Sequence, residues 1–538
     1  MRLRQQIKAS AMISFVCLVG ILVGITGLAA ADPTTLVIGL SADPKTLTPA
    51  SGGTDNDSCV AFRMFSSLTQ SDENFQAAPD LAQSWEVSED CMTYTFHLNP
   101  DAKFHDGTPV TAEDVEFSVL EMGMTCVNVC PRGLGGDTIE SVEIPDEHTI
   151  VFRLGNPFPE VLNPYYGFGP RCSSVVKKAH YEGTDYFTNP YNYEPIGSGP
   201  YKFVEWVRGS HIVLERWDEY WGEKPTIETV VFRIIPDPMA MALAFENGEV
   251  DWVPVTLLAS EIKRLNSVAG RDARFHGVPC GDSISLRFNH RREVFQNIAV
   301  RRAFTYAINR GRIPGFVYHG GAIAAPGNIM LTPVSEWYFN PNVKQVEYDP
   351  EMAKTLLDKA GYPVGSDGWR FHINLIHGTF FPEDIQVAEL IKADLAKVKV
   401  DVEINTLDYA AWVDRGFVNW DFDLNLSSLC SGPTPIAMKR FHTDNIKRVA
   451  WANDAGFSNF EYDALFERMI SETDVAKRRA YLYRMQEILV EEQPHVHVVH
   501  KQMASGWNPT RFTAEPEAFW SKGLGYFLMH LNPVRPAE

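Results

Sequence analysis

Short apolar strands alternate with helical segments along most of this 538-residue chain, and this alternation is the strongest constraint on its fold. Residues 36–40 form an apolar run typical of a buried strand, and residues 495–500 alternate as a second strand near the end of the chain. Between them, Asp349-Pro350 predicts the start of a helix that ends at Gly361. Strand–helix–strand connections of this length are typical of α/β lobes with partly parallel sheets.

The first 31 residues have the pattern of a secretory signal peptide. A basic start precedes the apolar stretch 11–30, and small residues then lead up to Asp32. This order predicts export with cleavage near Ala31. The alternative is a permanent membrane anchor, because the stretch is close to spanning length. No later run of 18 or more apolar residues follows, so the mature chain is expected to be soluble and exported.

The composition excludes one broad class of function. Apolar residues make up 45% of the chain and charged residues 22%, which are ordinary values for a globular protein. The 68 acidic and 48 basic side chains give a formal charge of −20. A protein that binds nucleic acid over a broad surface needs the opposite sign, so no nucleic-acid partner is expected.

Export would allow disulfide bonds, but the cysteine count leaves their pairing open. Apart from Cys17, seven cysteines remain, so at least one is free or pairs with another molecule. A bridge within the group Cys126, Cys130 and Cys172 is one option, and a zinc site lacks the second ligand pair that it would need. The seven are Cys59, Cys91, Cys126, Cys130, Cys172, Cys280 and Cys430.

No enzyme motif stands out in the sequence, and neither a cofactor nor a metal ion is expected. The nucleophile elbow, the H-E-x-x-H zinc motif and the P-loop are all absent from the sequence. The glycine-rich residues 197–199 precede a predicted strand, whereas a phosphate cradle needs a helix N-terminus.

The histidines are interpreted as structural. His495 and His497 share one face of the predicted strand, whereas His500 is expected to point to the other face. No acidic or cysteine partner lies near them in the sequence. His105 and Asp106 fall in a predicted turn, and we expect both to be solvated.

Six long motifs resemble those of one bacterial family and occur in the order typical of it. Together they resemble the bacterial extracellular solute-binding proteins of family 5, which include periplasmic oligopeptide-, dipeptide- and nickel-binding proteins. The resemblance runs from about residue 34 to the C-terminus. The motifs are FHDGTPVTAEDV (104–115), PIGSGPYKF (195–203), RWDEYWGEKP (216–225), VFRIIPD (231–237), FENGEVD (245–251) and VRRAFTYAIN (300–309).

The resemblance implies a two-lobed α/β periplasmic-binding-protein fold of type II, cluster C, with an extra subdomain in lobe one. Such proteins close on a ligand by hinge bending and dock on an inner-membrane permease that is powered by a separate ATPase. A monomeric, non-enzymatic receptor is therefore expected. The implied divisions are a signal peptide at 1–31, lobe one at 32–70 and 190–279, its extra subdomain at 71–189, lobe two at 280–495 and a return to lobe one at 496–538.

The ligand class stays open at this point. A peptide or peptide-like compound is the leading expectation, lying extended in the cleft and pairing with the main chain of both lobes. The alternatives are an opine, an oligosaccharide or a metal chelate. A secreted hydrolase is the alternative from another class of function.

The resemblance also implies the ligand-binding residues. The ligand strand of lobe two is expected within residues 427–431, and relatives that bind oligopeptides bridge the positions of Cys280 and Cys430 by a disulfide. Tyr409 and Trp412 belong to an aromatic group that either encloses the ligand or packs in the core. The expected ligand-contacting residues are Thr54, Asp55, Asn56, His377, Phe380, Tyr409, Trp412, Ser427, Ser428, Leu429, Cys430, Ser431 and Gly432.

One position departs from the pattern of the peptide-binding relatives. They place an Asp two residues after the bridged Cys, where it pairs with the α-amino group of the ligand, but this chain has Gly432 there. A buried ammonium group needs a carboxylate partner, so either another acid replaces it or the ligand has no free α-amino group there. Asp55 and Asp57 are candidates, and the alternative is that both belong to a polar turn.

Overall fold

The computed structural model describes residues 32–49, 55–72, 76–122, 138–162, 168, 173–254, 257–276, 282–325, 338–344, 346–379, 383–430, 435–514 and 534–537. The strands are β1 Thr35–Leu40, β2 Thr69–Ser71, β3 Ala77–Pro79, β4 Ala82–Val87, β5 Thr93–Leu98, β6 Ile139–Asp146, β7 Thr149–Leu154, β8 Tyr201–Val207, β9 His211–Arg216, β10 Thr229–Ile234, β11 Trp252–Val253, β12 Asp272–His276, β13 Asp282–Phe288, β14 Ala322–Ala324, β15 Phe371–Gly378, β16 Val400–Leu407, β17 Leu424–Cys430, β18 His495–Lys501, β19 Met503–Trp507, β20 Phe512–Ala514 and β21 Val534–Pro536. The α-helices are α1 Asp55–Ala61, α2 Ala112–Phe117, α3 Lys178–Tyr181, α4 Pro238–Asn247, α5 Ile262–Leu265, α6 Glu293–Gln296, α7 Ile298–Ala307, α8 Ile313–Phe316, α9 Pro350–Lys359, α10 Asp384–Lys397, α11 Tyr409–Val413, α12 Phe460–Ser471 and α13 Val475–Glu492. The prediction of a mixed α/β chain is confirmed.

Several helices begin where the sequence predicts. Asp349 precedes α9, and its carboxylate accepts a hydrogen bond from the N–H of Met352 at 2.9 Å. Thr111 precedes α2, and its backbone N–H donates to the Asp114 carboxylate at 3.0 Å. Contacts of this kind satisfy backbone groups that the end of a helix leaves unpaired.

Lobe one is built on a seven-stranded sheet in the order β12-β19-β11-β1-β10-β9-β8. Its central strand β1 runs parallel to β10 and β11, and all six residues of β1 are buried. Leu36 and Ile38 pack into one core cluster and Val37 into another, so apolar residues cover both faces of the sheet. After β19, Arg511 donates to the fully buried Asp251 at 2.8 Å and fastens the returning chain to this lobe.

The extra subdomain is built on a four-stranded antiparallel sheet in the order β4-β5-β7-β6. Its core contains three contacting aromatic rings. The ring centroid of Phe168 lies 5.2 Å from that of Phe96 and 4.5 Å from that of Phe152.

The glycine-rich loop at residues 197–199 packs closely against the backbone of Met64 within lobe one. The N–H of Gly199 donates to the carbonyl of Met64 at 2.8 Å. A Cβ on Gly197 would lie 1.9 Å from the same carbonyl oxygen, so only glycine allows this approach of two backbones. The close approach of the two backbones therefore explains the glycines of this loop.

His105 fastens the same loop from the other side, and it is not the solvated turn residue that the sequence predicts. Its Nε2 donates to the carbonyl of Gly199 at 2.9 Å, and its Nδ1 accepts from the N–H of Gly197 at 3.2 Å. Both ring nitrogens are thus engaged, which requires the neutral imidazole. Asp106 pairs instead with Lys177 at 2.5 Å.

Lobe two is built on a six-stranded sheet in the order β14-β18-β13-β17-β15-β16. One face is apolar: Leu286, Leu426 and Val496 pack with α7 and α10 in the largest core cluster. The other face is polar and carries Arg287 and Ser427, both of which are buried. Successive strand residues point to opposite faces, so this alternation separates the core from the polar side.

The two lobe sheets are joined by a very short crossing. β18 ends at Lys501 in the sheet of lobe two, and β19 begins at Met503 in the sheet of lobe one, so only Gln502 lies between them. The sequence predicts the return to lobe one at residue 496, six residues earlier. β18 stays in lobe two because it pairs with β13 as far as His500.

Lobe two also contacts the extra subdomain through space. Arg478 in α13 donates to Glu160 at 2.9 Å, and both side chains are almost completely buried. The Tyr338 hydroxyl donates to the same carboxylate at 3.4 Å, and Ile436 packs into the core cluster of the subdomain. This contact attaches lobe two to the extra subdomain in addition to the chain connections between the lobes.

Within the described residues, none of the helices combines the length and the apolarity that a membrane crossing needs. The expected signal peptide, residues 1–31, lies outside the described residues.

Replacing Gly197 by Ala is expected to destabilise the protein by at least about 3 kcal/mol, because the added methyl group overlaps a backbone carbonyl that cannot rotate away. Urea unfolding followed by circular dichroism measures the change. Gly155→Ala is the matched control, since nothing lies within 4 Å of a Cβ at that position. Equal stabilities of the two variants would contradict the close approach.

Acidification is expected to destabilise the protein between pH 6.5 and 4. Burial lowers the pKa of His105 and of His500 to about 4 each, so these sites take up protons on unfolding in this range. Stability therefore rises with pH across this window, by about 2 kcal/mol per histidine between pH 5 and neutrality. Urea midpoints at pH 5 and 7.5 measure the difference. His105→Gln keeps a donor and an acceptor without titrating, so its pH dependence should be weaker; an unchanged dependence would exclude His105 as a contributor.

Candidate functional site

The strand expected to hold a ligand is β17, and its last residues lie at one end of the lobe-two sheet. Cys430 pairs with Asp282 and Ser427 with Ser285 across the antiparallel β13. Ser427 is buried; its hydroxyl accepts from Arg287 at 2.7 Å and donates to the carbonyl of Ser428 at 3.1 Å. Its position is therefore fixed by contacts within the chain.

A network of buried polar side chains contacts β17. Arg287 donates to Asp454 at 3.0 Å, and their side chains are 0% and 1% exposed. Asp454 also accepts from the side-chain amide of Asn425 at 2.8 Å, and Asn425 accepts from the indole N–H of Trp412 at 2.9 Å. The network connects β13, β17 and α11 through charge-assisted hydrogen bonds.

Trp412 is a fully buried member of an aromatic cluster. Its ring centroid lies 5.0 Å from that of Phe417 and 5.4 Å from that of Trp451. Tyr409 lies 6.2 Å from Trp412 and is 50% exposed. Of the two aromatic residues expected to contact ligand, Tyr409 is therefore the accessible one, whereas Trp412 fills the interior.

His377 lies near the end of β15, the strand parallel to β17, and pairs there with Leu426. It is buried, and its Nε2 lies 2.8 Å from the hydroxyl of Thr406 on the next strand. Burial lowers the pKa of His377, which favours the neutral ring. Because β15 and β17 are parallel, their C-terminal ends lie at the same end of the sheet. His377 therefore lies at the end of the sheet that also holds the last residues of β17.

The expected lobe-one residues lie around α1. Asn56 is half-buried and donates to the Ser41 hydroxyl at 3.4 Å. Asp57 is 1% exposed, and its carboxylate accepts from the N–H of Lys45 at 2.7 Å. Asp57 therefore holds the chain after β1 in place.

Several expected site residues are not described. Thr54, Phe380, Ser431, Gly432 and Cys280 lie outside the described residues, as do Cys126, Cys130 and Cys172. Of Asp55, Leu429 and Cys430, only the backbone is described. The expected Cys280–Cys430 disulfide consequently falls outside the described side chains.

The polar face of the sheet also carries three histidines, and here the sequence prediction is wrong in one respect. Ser283 pairs with His500 and Ser285 with His497, so one extra residue in β18 shifts the register between them. His500 therefore shares the face of His497 instead of pointing away from it. The irregularity is a β-bulge, which inverts the alternation beyond it.

These histidines are neutral at pH 7. Burial lowers the pKa of His495 and His497 well below the usual value, and nearby cationic side chains lower both further. His497 Nδ1 is hydrogen-bonded to the Ser283 hydroxyl at 2.9 Å. Within the described chain, no group of three or more histidines, cysteines or acids has an arrangement that could hold a metal ion.

Arg287 and Asp454 are the site residues that sequence reasoning missed. They are separated by 167 residues, and no motif joins them. The one local signal is an Arg between two apolar residues, Leu286 and Phe288, in a predicted strand; a buried Arg there needs an acid to compensate its charge.

Comparison with known proteins assigns the family. The sequence model of the family described as "Bacterial extracellular solute-binding proteins, family 5 Middle" matches residues 76–441 of this chain. The dipeptide-binding protein of Escherichia coli is 30% identical over 363 residues, which are 63% of this chain and 65% of that protein. The oligopeptide-binding protein AppA of Bacillus subtilis is 27% identical over 488 residues, which are 86% and 85% of the two chains.

The fold agrees with a solved structure of the same type. The periplasmic binding protein DppA of Helicobacter pylori, in complex with the peptide STSA, superimposes with a TM-score of 0.75 at 24% identity, covering 94% of this chain and 98% of that one. The likeness confirms the two-lobed fold. Since the family match spans more than half of the sequence, the chain belongs to the bacterial extracellular solute-binding proteins of family 5.

Proposed function

We propose that this chain is the periplasmic substrate-binding protein of an ABC importer and captures a peptide or peptide-like solute between its lobes. The observation that carries the proposal is the crossing at Gln502, where one residue separates a strand of each lobe. Lobes joined so closely can bend toward each other over a ligand. The relatives described as dipeptide- and oligopeptide-binding proteins support a peptide.

The main chain of the ligand would pair with the end of β17 as an added β-strand. Gly432 cannot supply a carboxylate for the α-amino group, and Asp57 already accepts a backbone N–H in the interior. Asp55, at the start of α1, is therefore the better candidate for that partner. A ligand without a free α-amino group, such as an opine, an oligosaccharide or a metal chelate, would need no partner at all.

A secreted hydrolase remains the alternative from another class. It would need a nucleophile activated by a base, or a pair of carboxylates, facing the ligand. The hydroxyl of Ser427 donates to a backbone carbonyl, and the partner of His377 is the Thr406 hydroxyl. These contacts support binding without turnover.

Delivery follows from the same proposal. The chain is exported with its signal peptide cleaved near Ala31, acts as a monomer and docks on an inner-membrane permease whose ATPase is a separate protein. The proposed lobe boundaries are those of the sequence analysis, with the return to lobe one placed at Gln502. That placement is supported by the strand order of the two sheets.

The mature protein, purified from its native host and denatured, is expected to release a small peptide that mass spectrometry identifies. After refolding without ligand, members of a library of di- to pentapeptides should raise its melting temperature, because a ligand that binds only the folded state stabilises it. Comparing free with N-acetylated peptides tests whether an acid pairs with the α-amino group.

Two results would contradict this proposal. Release of a sugar, an opine or a chelate, together with no shift from any peptide, would exclude the peptide ligand. Cleavage of library peptides by the purified protein would exclude a pure receptor.

We also propose that Cys280 and Cys430 form a disulfide that braces the end of β17. Cys430 pairs with Asp282, and Cys280 precedes Asp282 by only two residues in the sequence, which supports the bond. Such a bond stabilises the fold by about 2–4 kcal/mol.

Alkylation of the denatured, unreduced protein should therefore label Cys91, a free thiol, and leave Cys280 and Cys430 unlabelled. Peptide mapping by mass spectrometry reads the outcome. Alkylation of Cys280 and Cys430 together with Cys91 would show that the bridge is not formed.

A further inference from the structure

His500 lies at the end of the lobe-two sheet where the proposed ligand strand ends. It pairs with Ser283, which pairs on its other side with Leu429, the residue before Cys430. Gln502, the crossing between the lobes, is two residues further along the chain. His500 therefore stands between the hinge and the strand proposed to hold the ligand.

The hydrogen-bonding capacity of His500 is unused. Within the described part of the chain, neither ring nitrogen has a hydrogen-bond partner, although the residue is only 2% exposed. The hydroxyl of Ser285, fully buried on the same face, also lacks a partner there. A neutral imidazole always carries one N–H, so a donor is buried unpaired at His500. Buried polar groups are nearly always hydrogen-bonded, and an exception needs a physical explanation.

The neighbouring polar groups cannot supply the missing partner, because they bind one another. The hydroxyl of Ser283 is bonded to His497 at 2.9 Å. The carboxylate of Asp454 binds Arg287 at 3.0 Å and Asn425 at 2.8 Å. The oxygen that His500 and Ser285 require must therefore come from outside these groups.

The charge on this face selects the kind of group that fits. Burial lowers the pKa of His497, and the guanidinium groups of Arg287, Arg310 and Arg440 lower it further, so positive charge and donors surround the face. Burial likewise keeps His500 neutral at pH 7. An ammonium group would meet no uncommitted carboxylate among these side chains, whereas an acceptor oxygen meets donors on several sides.

Resting on the proposed receptor function, we propose that His500 and Ser285 form a ligand subsite that binds an acceptor oxygen of the captured solute, either a carbonyl or a carboxylate. The ligand completes hydrogen bonds for which the described residues offer no partner. An analogue without an oxygen at this place leaves two polar groups buried and unpaired, and sites of this kind reject such analogues strongly.

The proposal predicts opposite effects of one substitution on stability and on binding. His500→Leu removes a buried unpaired group, so the melting temperature of the ligand-free protein should stay equal to that of the wild type or rise. The same variant should bind trialanine about tenfold more weakly, since one hydrogen bond to the ligand is lost. Ser285→Ala should behave in the same way. Scanning calorimetry after refolding without ligand and titration calorimetry measure the two quantities.

His105→Leu is the matched control, because both ring nitrogens of His105 are hydrogen-bonded far from this face. It should lower the melting temperature and leave the dissociation constant for trialanine unchanged. Trialanine amide then separates the two sources of oxygen. Loss of the His500→Leu effect with the amide assigns the subsite to a carboxylate, and its persistence assigns it to a carbonyl.

The subsite is refuted if His500→Leu and Ser285→Ala both lower the ligand-free melting temperature and leave the affinity for trialanine unchanged. A wild type that binds neither trialanine nor any library peptide refutes the peptide ligand instead. In that case the molecule released from the purified protein replaces trialanine in the same comparison, and an unchanged affinity of His500→Leu for it overturns the subsite.

Discussion

The buried ion pair between Arg287 and Asp454 is the interaction on which the arrangement of lobe two depends. Two charges in the interior are costly unless they are paired and their remaining hydrogen bonds are satisfied. The charges are paired, and further hydrogen bonds support the pair: Asp454 also binds Asn425, and Arg287 also binds Ser427. Arg287 lies on β13, Asn425 and Ser427 lie on β17, and Asp454 lies in a loop. The ion pair and its hydrogen bonds therefore fix the positions of these segments relative to one another.

This pair explains why the two faces of the six-stranded sheet differ. The side chains of the apolar face form the core together with the helices that cover it. Packing of this kind requires mainly apolar side chains of suitable volume. The polar face must instead match donors with acceptors, and two terminal N–H groups of Arg287 find them in Asp454 and Ser427. At His500 and Ser285 the matching stops, and this is the end of the sheet where the ligand strand is proposed to lie.

Much of the fold was predictable because it depends on local pattern. The buried run of β1 and the helix start at Asp349 follow from neighbouring residues alone. The face of His500 was not predictable, since one extra residue in β18 inverts a period-two pattern without changing its composition. The partners of His105 lie about 90 residues away, so its turn was foreseen but its burial was not. The resemblance implied which strand would hold a ligand, yet no motif pointed to Asp454.

The single-residue crossing at Gln502 has a consequence for the thermodynamics of closure. Each residue has only two soft torsion angles, and an ordered strand lies on either side of this one. Few backbone conformations are therefore available at this connection before closure, and few are lost on closure, in contrast to the freezing of a flexible loop. At this point of the chain, the conformational entropy opposing closure is small, which leaves more of the interaction free energy with the ligand for affinity.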